Sequence, residues 1–197
     1  MRREYIPLFT MGANDSEVMR GVLLKPPVTL EEEYAWYDKP KSGDVILAIL
    51  LHEQDATGAV TGYRYIGHTG LHGITWPSGF ATSGTIIADK SCFGKGYGTE
   101  AKLLLLYEAF RVRGLRKVYS HVKAFNGNSW GHLLASGYKQ TGRQKAHHFH
   151  NGTFVDEISF EIFRDEWEQS WSAYQTTKIL PRLSAEQRTY LIKETAP

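Results

Sequence analysis

The sequence predicts a mixed α+β domain built on one largely antiparallel sheet, and three observations carry that prediction. Several short segments rich in β-branched and aromatic residues are separated by small turn-forming residues. A glycine-rich bend joins one strand-like segment to a long apolar helix-like one, and Asn151-Gly152 separates two strand-like runs near the end. The 197 residues, 42% of them apolar, are enough chain for one well-filled core.

Taken in order, Tyr5 to Leu8 reads as a strand-like start. PPVTLEEEYAWYDK then carries a helix-start signal. Thr29 can cap the amide of Glu32 while Glu32 reaches back, with acids in the first turn, which predicts a helix from Leu30 to Tyr37. DVILAILLHEQ and AVTGYRYIGH are predicted as antiparallel strands joined by the turn formers of DATG. A loop holding Gly70, Gly73, Pro77 and Gly79 follows, and SGTIIAD is a further strand.

The next helix is expected from Tyr97 to Arg113, with Ala101, Leu104, Leu105 and Tyr107 to Ala109 leaving few positions wet. Arg111 and Arg113 suit its negative end, and Gly114 suits a left-handed stop. LRKVYSHVKAF returns as a strand, which a right-handed crossover sets parallel to SGTIIAD. Asn126 to Gly137 holds a shorter helix with Trp130, Leu133 and Leu134 on one face. GYKQTGRQKAHHFH and TFVDEISFEIF close the order as a hairpin. Beyond Trp167 the pattern changes: the tail carries Pro181 and a second capping signature, Ser184 with Gln187. Residues 1–167 are therefore expected as one domain and 168–197 as a C-terminal helical extension.

Composition narrows the function classes. Against 23 basic residues stand 21 acidic ones, a formal charge of +2 that gives no support for an electrostatic grip on nucleic acid. The single cysteine, Cys92, forms no intrachain disulfide and reads as a small packing residue. The start MRREYIPLF lacks the apolar stretch of a secretory signal, and no run approaches the ~20 apolar residues of a membrane span, so no membrane partner and a cytoplasmic location are expected.

The glycine bend, SCFGKGYGTEA, carries the chemistry. At a helix start several backbone N–H groups lack partners and the helix dipole leaves partial positive charge, so bare glycines let a phosphate approach the amides, with Lys95 adding charge at the rim. Gly94-Lys95-Gly96 does not supply the Walker pattern, and Gly94 to Thr99 lacks the third glycine of a dinucleotide fingerprint.

The segment resembles the acetyl-CoA loop of the GNAT superfamily of N-acetyltransferases, [QR]-x-x-G-x-[GA] between a strand and a long helix. An aromatic followed by G-K-G-Y-G-T-E-A, here from Phe93, is similar to the RimJ/RimL-like branch, which acetylates ribosomal-protein N-termini, spermidine and related amines. The resemblance extends to Asn126, Ser129 and Gly137-Tyr138, to Ile66-Gly67, to the helix start T-L-E-E-E and to N-G-T-F-V-D-E in the closing hairpin. Together these span Tyr5 to Trp167.

That resemblance implies a GNAT fold, in which two parallel strands, here SGTIIAD and KVYSHVKAF, splay apart around the pantetheine arm of acetyl-coenzyme A. It implies cofactor binding by Ile86, Ile87, Ala88, Phe93, Gly94, Lys95, Gly96, Tyr97, Gly98, Thr99, Asn126 and Ser129. The reaction implied is direct acetyl transfer to a primary amine, either a small molecule or a protein N-terminus. The chemistry requires a neutral amine, donors for the oxyanion and a proton for the departing thiolate. Many relatives take that proton from a Tyr four residues after the Ser position. Here the position is Leu133, and Ser129 is the substitute candidate. Asp156, His121 and Glu32 are candidates for the base, with Glu32 and Tyr34 also candidates for acceptor binding.

His148 and His150 would share a strand face, but the sequence shows no third ligand beside them, so no metal is expected. Two readings stand: an N-acetyltransferase, and an acyl-CoA-binding or protein-interaction module on the same fold, motivated by Leu133 and by the tail, which could also pack across a homodimer.

Overall fold

The computed structural model describes residues 1–22, 27–39, 43–179 and 181. After a 3₁₀ turn at Arg3–Tyr5, three short helices come first: α1 (Ile6–Ala13), α2 (Ser16–Met19) and α3 (Leu30–Asp38). Three strands follow, β1 (Val45–Gln54), β2 (Val60–Thr75) and β3 (Phe80–Ile87). Then come α4 (Tyr97–Tyr107), β4 (Lys117–Lys123), α5 (Gly127–Ala135), β5 (Lys139–His150), β6 (Thr153–Phe163) and α6 (Arg164–Tyr174). The strands form one sheet in the order β1-β2-β3-β4-β6-β5, antiparallel throughout except for β3 with β4. This is the mixed α+β architecture expected from the sequence.

The start of the chain is helical, against the strand expected at Tyr5 to Leu8. Pro7 occupies the first turn of α1, where its missing N–H costs nothing. Ile6, Phe9, Thr10 and Ala13 then recur at helical spacing and are all buried. Gly12 lets α1 lie directly on the end of β3, since an added Cβ would stand 2.5 Å from the Ala88 carbonyl oxygen. The loop expected around Gly70 and Gly73 is largely strand, because β2 continues to Thr75 through a bulge after His72.

The α3 capping box forms as expected: the Glu32 amide donates to Thr29 Oγ1 at 3.2 Å and the Thr29 amide donates to Glu32 Oε2 at 3.0 Å. Asn151 and Gly152 adopt φ +48° and +83°, the left-handed pair of a tight hairpin between β5 and β6.

Two apolar layers flank the sheet. On one face α4, α5 and α6 enclose the larger core, which includes Leu105, Phe110, Val118, Leu133, Phe160 and Trp167. On the other, Phe9, Ala13, Val18 and Met19 from α1 and α2 meet Tyr65 and Ile86. Two helical expectations need adjusting: Leu104 and Leu134 face outward, 47% and 55% exposed, while their neighbours Leu105 and Leu133 are buried. The boundary drawn at Trp167 falls inside α6, whose Trp167 and Trp171 both belong to the larger core. The signature Ser184 with Gln187 lies outside the described residues.

Candidate active site

The β3–β4 ladder is three residues long, pairing Phe80 with Lys117, Ala81 with Val118 and Thr82 with Tyr119. Beyond Thr82, β3 stays with β2 and β4 stays with β6, so the two strands part. Small hydroxyl side chains bridge the vertex where main-chain pairing stops. Ser83 Oγ donates to the Tyr119 carbonyl at 3.1 Å, and Ser120 Oγ donates to the Ser83 carbonyl at 3.2 Å.

From this vertex opens a cleft of about 660 Å³, bounded by the end of β3, the start of α4, the start of α5 and residues 17–22 around α2. Gly96 is the N-cap of α4, at φ +84° with no side-chain cap, and Gly94 stands at φ +71°. A residue with a Cβ is strained in that conformation. The loop therefore presents bare amides at the positive end of a helix dipole. The donor set suits a diphosphate, and Arg20 on the opposite wall adds positive charge.

Most expected cofactor residues meet here: Ile86, Ile87, Phe93, Gly94, Gly96, Tyr97, Gly98, Thr99, Asn126 and Ser129 line the cleft. Two do not. The Ala88 amide donates to the Ile66 carbonyl at 2.7 Å, which turns its main-chain edge toward β2, and Lys95 stands exposed outside the lining. Asn126 caps α5 by accepting from the Ser129 amide at 3.2 Å, and its Nδ2 donates to Ser129 Oγ at 2.9 Å and to the Gly21 carbonyl at 3.2 Å. The Lys123 ammonium donates to the Val22 carbonyl at 2.6 Å. These contacts tie the wall at residues 21–22 to the wall formed by β4 and α5.

Sequence reasoning missed Arg20, Thr85 and His132, all on the lining. Burial, helped by the nearby Lys102 charge, pushes His132 down to about 4, so its imidazole is neutral at pH 7. It also missed Lys102, on α4 behind the vertex and 1% exposed. The Lys102 ammonium donates to Ser83 Oγ at 3.0 Å, and Ser83 Oγ lies 2.9 Å from the buried Tyr138 hydroxyl. Burial without a carboxylate partner among its hydrogen bonds pushes this lysine down to about 7.

The candidate bases and acceptor residues fall elsewhere. Asp156 stands on β6 away from the cleft. Its carboxylate accepts from the Ala146 amide at 2.8 Å and from Arg143 Nε at 2.6 Å, which hold it below the usual carboxylate range and make it a poor base. The Glu32 carboxylate is spent on its capping box, and Tyr34 lies under the Arg3 guanidinium at 4.4 Å. His121 is two residues beyond the last β3–β4 pair, on the face opposite the larger core. Its Nδ1 lies 3.1 Å from Glu157 Oε1, a carboxylate that is 6% exposed. Leu133 is buried in the larger core and has no proton to give the sulfur.

A cleft of this shape identifies its family when a domain model matches, and one does: residues 1–139 match the acetyltransferase (GNAT) domain. The chain belongs to the GNAT acetyltransferase family. It is an acetyltransferase, and acetyl-coenzyme A is its acyl donor. Among solved structures, the GNAT chain is similar to spermidine N-acetyltransferase from Vibrio cholerae in complex with CoA and spermine. That pair is 20% identical with a TM-score of 0.72, covering 85% of this chain and 95% of that one. A chimera of the Vibrio cholerae enzyme with hSSAT gives 19% identity and a TM-score of 0.67, covering 85% and 95%. A candidate acetyltransferase from T. thermophilus gives 23% and 0.70, covering 90% of each chain. At such identities the likeness speaks for the fold. No curated protein matches the chain. No described helix is long and apolar enough to cross a membrane.

Proposed function

We propose that this protein transfers acetyl from acetyl-coenzyme A to a primary amine, and that the acceptor is a small cationic amine of the polyamine class. The parting of β3 from β4 carries the reading, because it opens the cleft beside the amides at Gly94 to Gly98, and His121 follows on β4 two residues past the last pair. The spermidine N-acetyltransferase neighbours and the buried Glu157 carboxylate beside His121 support a cationic acceptor. Protein N-termini, the acceptor expected alongside small amines of the RimJ/RimL-like branch, are the competing class.

The bound cofactor supplies an activated acyl group on sulfur. The amides of the glycine bend and Arg20 hold the diphosphate, and the unpaired edge of Thr85 to Ile87 aligns the arm. His121, oriented by Glu157, takes the proton that the amine loses as its nitrogen bonds to the acyl carbon. Ser129, whose Oγ accepts from Asn126, keeps its own O–H to donate into the cleft toward the sulfur. A reduced cytoplasmic setting suits the one buried thiol, Cys92.

The test is acetyl transfer measured against spermidine, spermine, simple monoamines and N-terminal peptides. Polyamine turnover at least about tenfold above peptide turnover in kcat/KM supports the reading. A preference for peptides replaces the acceptor class, and cofactor binding with no acetylation across the panel favours the non-catalytic module. Gly96→Val should raise the KM for acetyl-coenzyme A by about tenfold or more, since φ +84° is strained for a branched residue and the added methyls shield the amides.

A further inference from the structure

Neighbouring side chains on a strand point to opposite faces, which would separate His147 from His148. The β5–β6 hairpin breaks that alternation. Its register shifts between Gln144 and His148, and Ala146 stands at φ +50°, held there by the Asp156 carboxylate through the Ala146 amide. A left-handed alanine costs about 1–2 kcal/mol and persists only where its surroundings fix it.

The consequence is that both imidazoles meet, edge to face with ring centroids 4.7 Å apart. One ligand atom from each of His147, His148 and Glu157 falls within 4.8 Å of the others. His148 Nε2 is 2.7 Å from Glu157 Oε2, while the other carboxylate oxygen faces His121 at 3.1 Å. Glu157 is thus a buried carboxylate with one oxygen on His148 and the other anchored by His121.

We propose that His147, His148 and Glu157 form a binding site for a divalent first-row transition-metal ion of the Zn²⁺ kind. Two imidazoles and one carboxylate suit zinc, nickel or copper, whereas calcium and magnesium take oxygen ligands. Tetrahedral bonds of about 2.0–2.1 Å set ligand atoms roughly 3.3 Å apart, against the 4.8 Å within which these atoms lie in this structure. His121 plays the part of the outer group that fixes a ligating carboxylate. The exposed His147 gives the ion a way in, and the fourth position is left to water. None of the three residues lines the cofactor cleft, so the ion and the cofactor do not compete for space.

The experiment titrates ZnCl₂ calorimetrically into the full chain, prepared without an affinity tag and stripped of metal by a chelator. One equivalent should bind. His147→Ala and His148→Ala should each weaken that binding by about tenfold or more, while His52→Ala, far along the sheet on β1, should leave it unchanged. MgCl₂ should neither bind nor compete. Co²⁺ should give the intense visible bands of a tetrahedral site in the wild type and lose them in His147→Ala. Because His147 is exposed, that variant keeps its melting temperature, so a loss of binding is not a loss of fold. Zinc affinity unchanged in His147→Ala, or no binding beyond that of magnesium, overturns the site.

Discussion

On one face of the sheet, α4, α5 and α6 seal the strands under an apolar layer holding Phe110, Phe160 and Trp167; on the other, α1 and α2 cover the β2–β3 region and leave the row His121, Ser159, Glu157 and His148 polar. A single strand supplies both environments. In β4, Val118, Ser120 and Val122 turn to the sealed side and Tyr119, His121 and Lys123 to the other. The contrast shows how a sheet can carry stability on one face and keep reactive groups on the other. Each face also holds buried charged exceptions: Lys102 in the apolar layer, Glu157 and Lys123 on the polar side.

The largest expected effect attacks the first exception. A lysine whose folded value lies near 7, against 10.5 unfolded, binds fewer protons folded than unfolded between those two values. Stability contributed by this group should therefore rise with pH through that window, and its cost is fully present below about pH 7. At ~1.4 kcal/mol per pKa unit the cost is on the order of 5 kcal/mol. Denaturant unfolding of the wild type and Lys102→Met should show the variant more stable at pH 7, with the gap narrowing toward about pH 9.5. Of its titratable neighbours, His132 is neutral throughout and burial raises Tyr138, so neither titrates in the folded protein there. A gap independent of pH would mean that the lysine stays charged.

Trp167→Ala should come next, removing the largest fully buried side chain from the sealed face at a cost of about 3–5 kcal/mol, read in the urea midpoint. His121→Ala should do the reverse: a melting temperature close to that of the wild type and kcat lower by about 100-fold. If His121→Ala instead unfolds the protein and leaves the residual kcat intact, the division between the faces is wrong. The smallest effect sharpens the edge of the comparison. Thr29→Ala should cost about 1 kcal/mol by uncapping α3, with no change in either KM. A raised acceptor KM would return α3, with Glu32 and Tyr34, to the acceptor site.

Legibility followed the same division. The cofactor side was readable because its determinants are contiguous: the bend from Phe93 to Thr99 and the pair Asn126 and Ser129 are short stretches whose resemblance to the family's cofactor loop shows in the sequence itself. The polar row was not, since His121, Glu157 and His148 meet only through the register of β4 on β6 and the Ala146 bulge, which no local pattern prints. The capping box and the Asn-Gly turn fixed α3 and the closing hairpin. Four residues from Tyr5 were too short a window to show the helical period that Ile6, Phe9, Thr10 and Ala13 complete. Gly70 read as loop for want of its partner: an added Cβ would stand 2.6 Å from the Val45 carbonyl oxygen, so the glycine marks close strand approach rather than a turn.

The bonds from Lys123 to Val22 and from Asn126 to Gly21 join positions 101 and 105 residues apart in the chain. They pin the segment that follows α2 to the facing wall of the cleft, so one rim of the opening owes its position to an ammonium and an amide rather than to the sheet ladder.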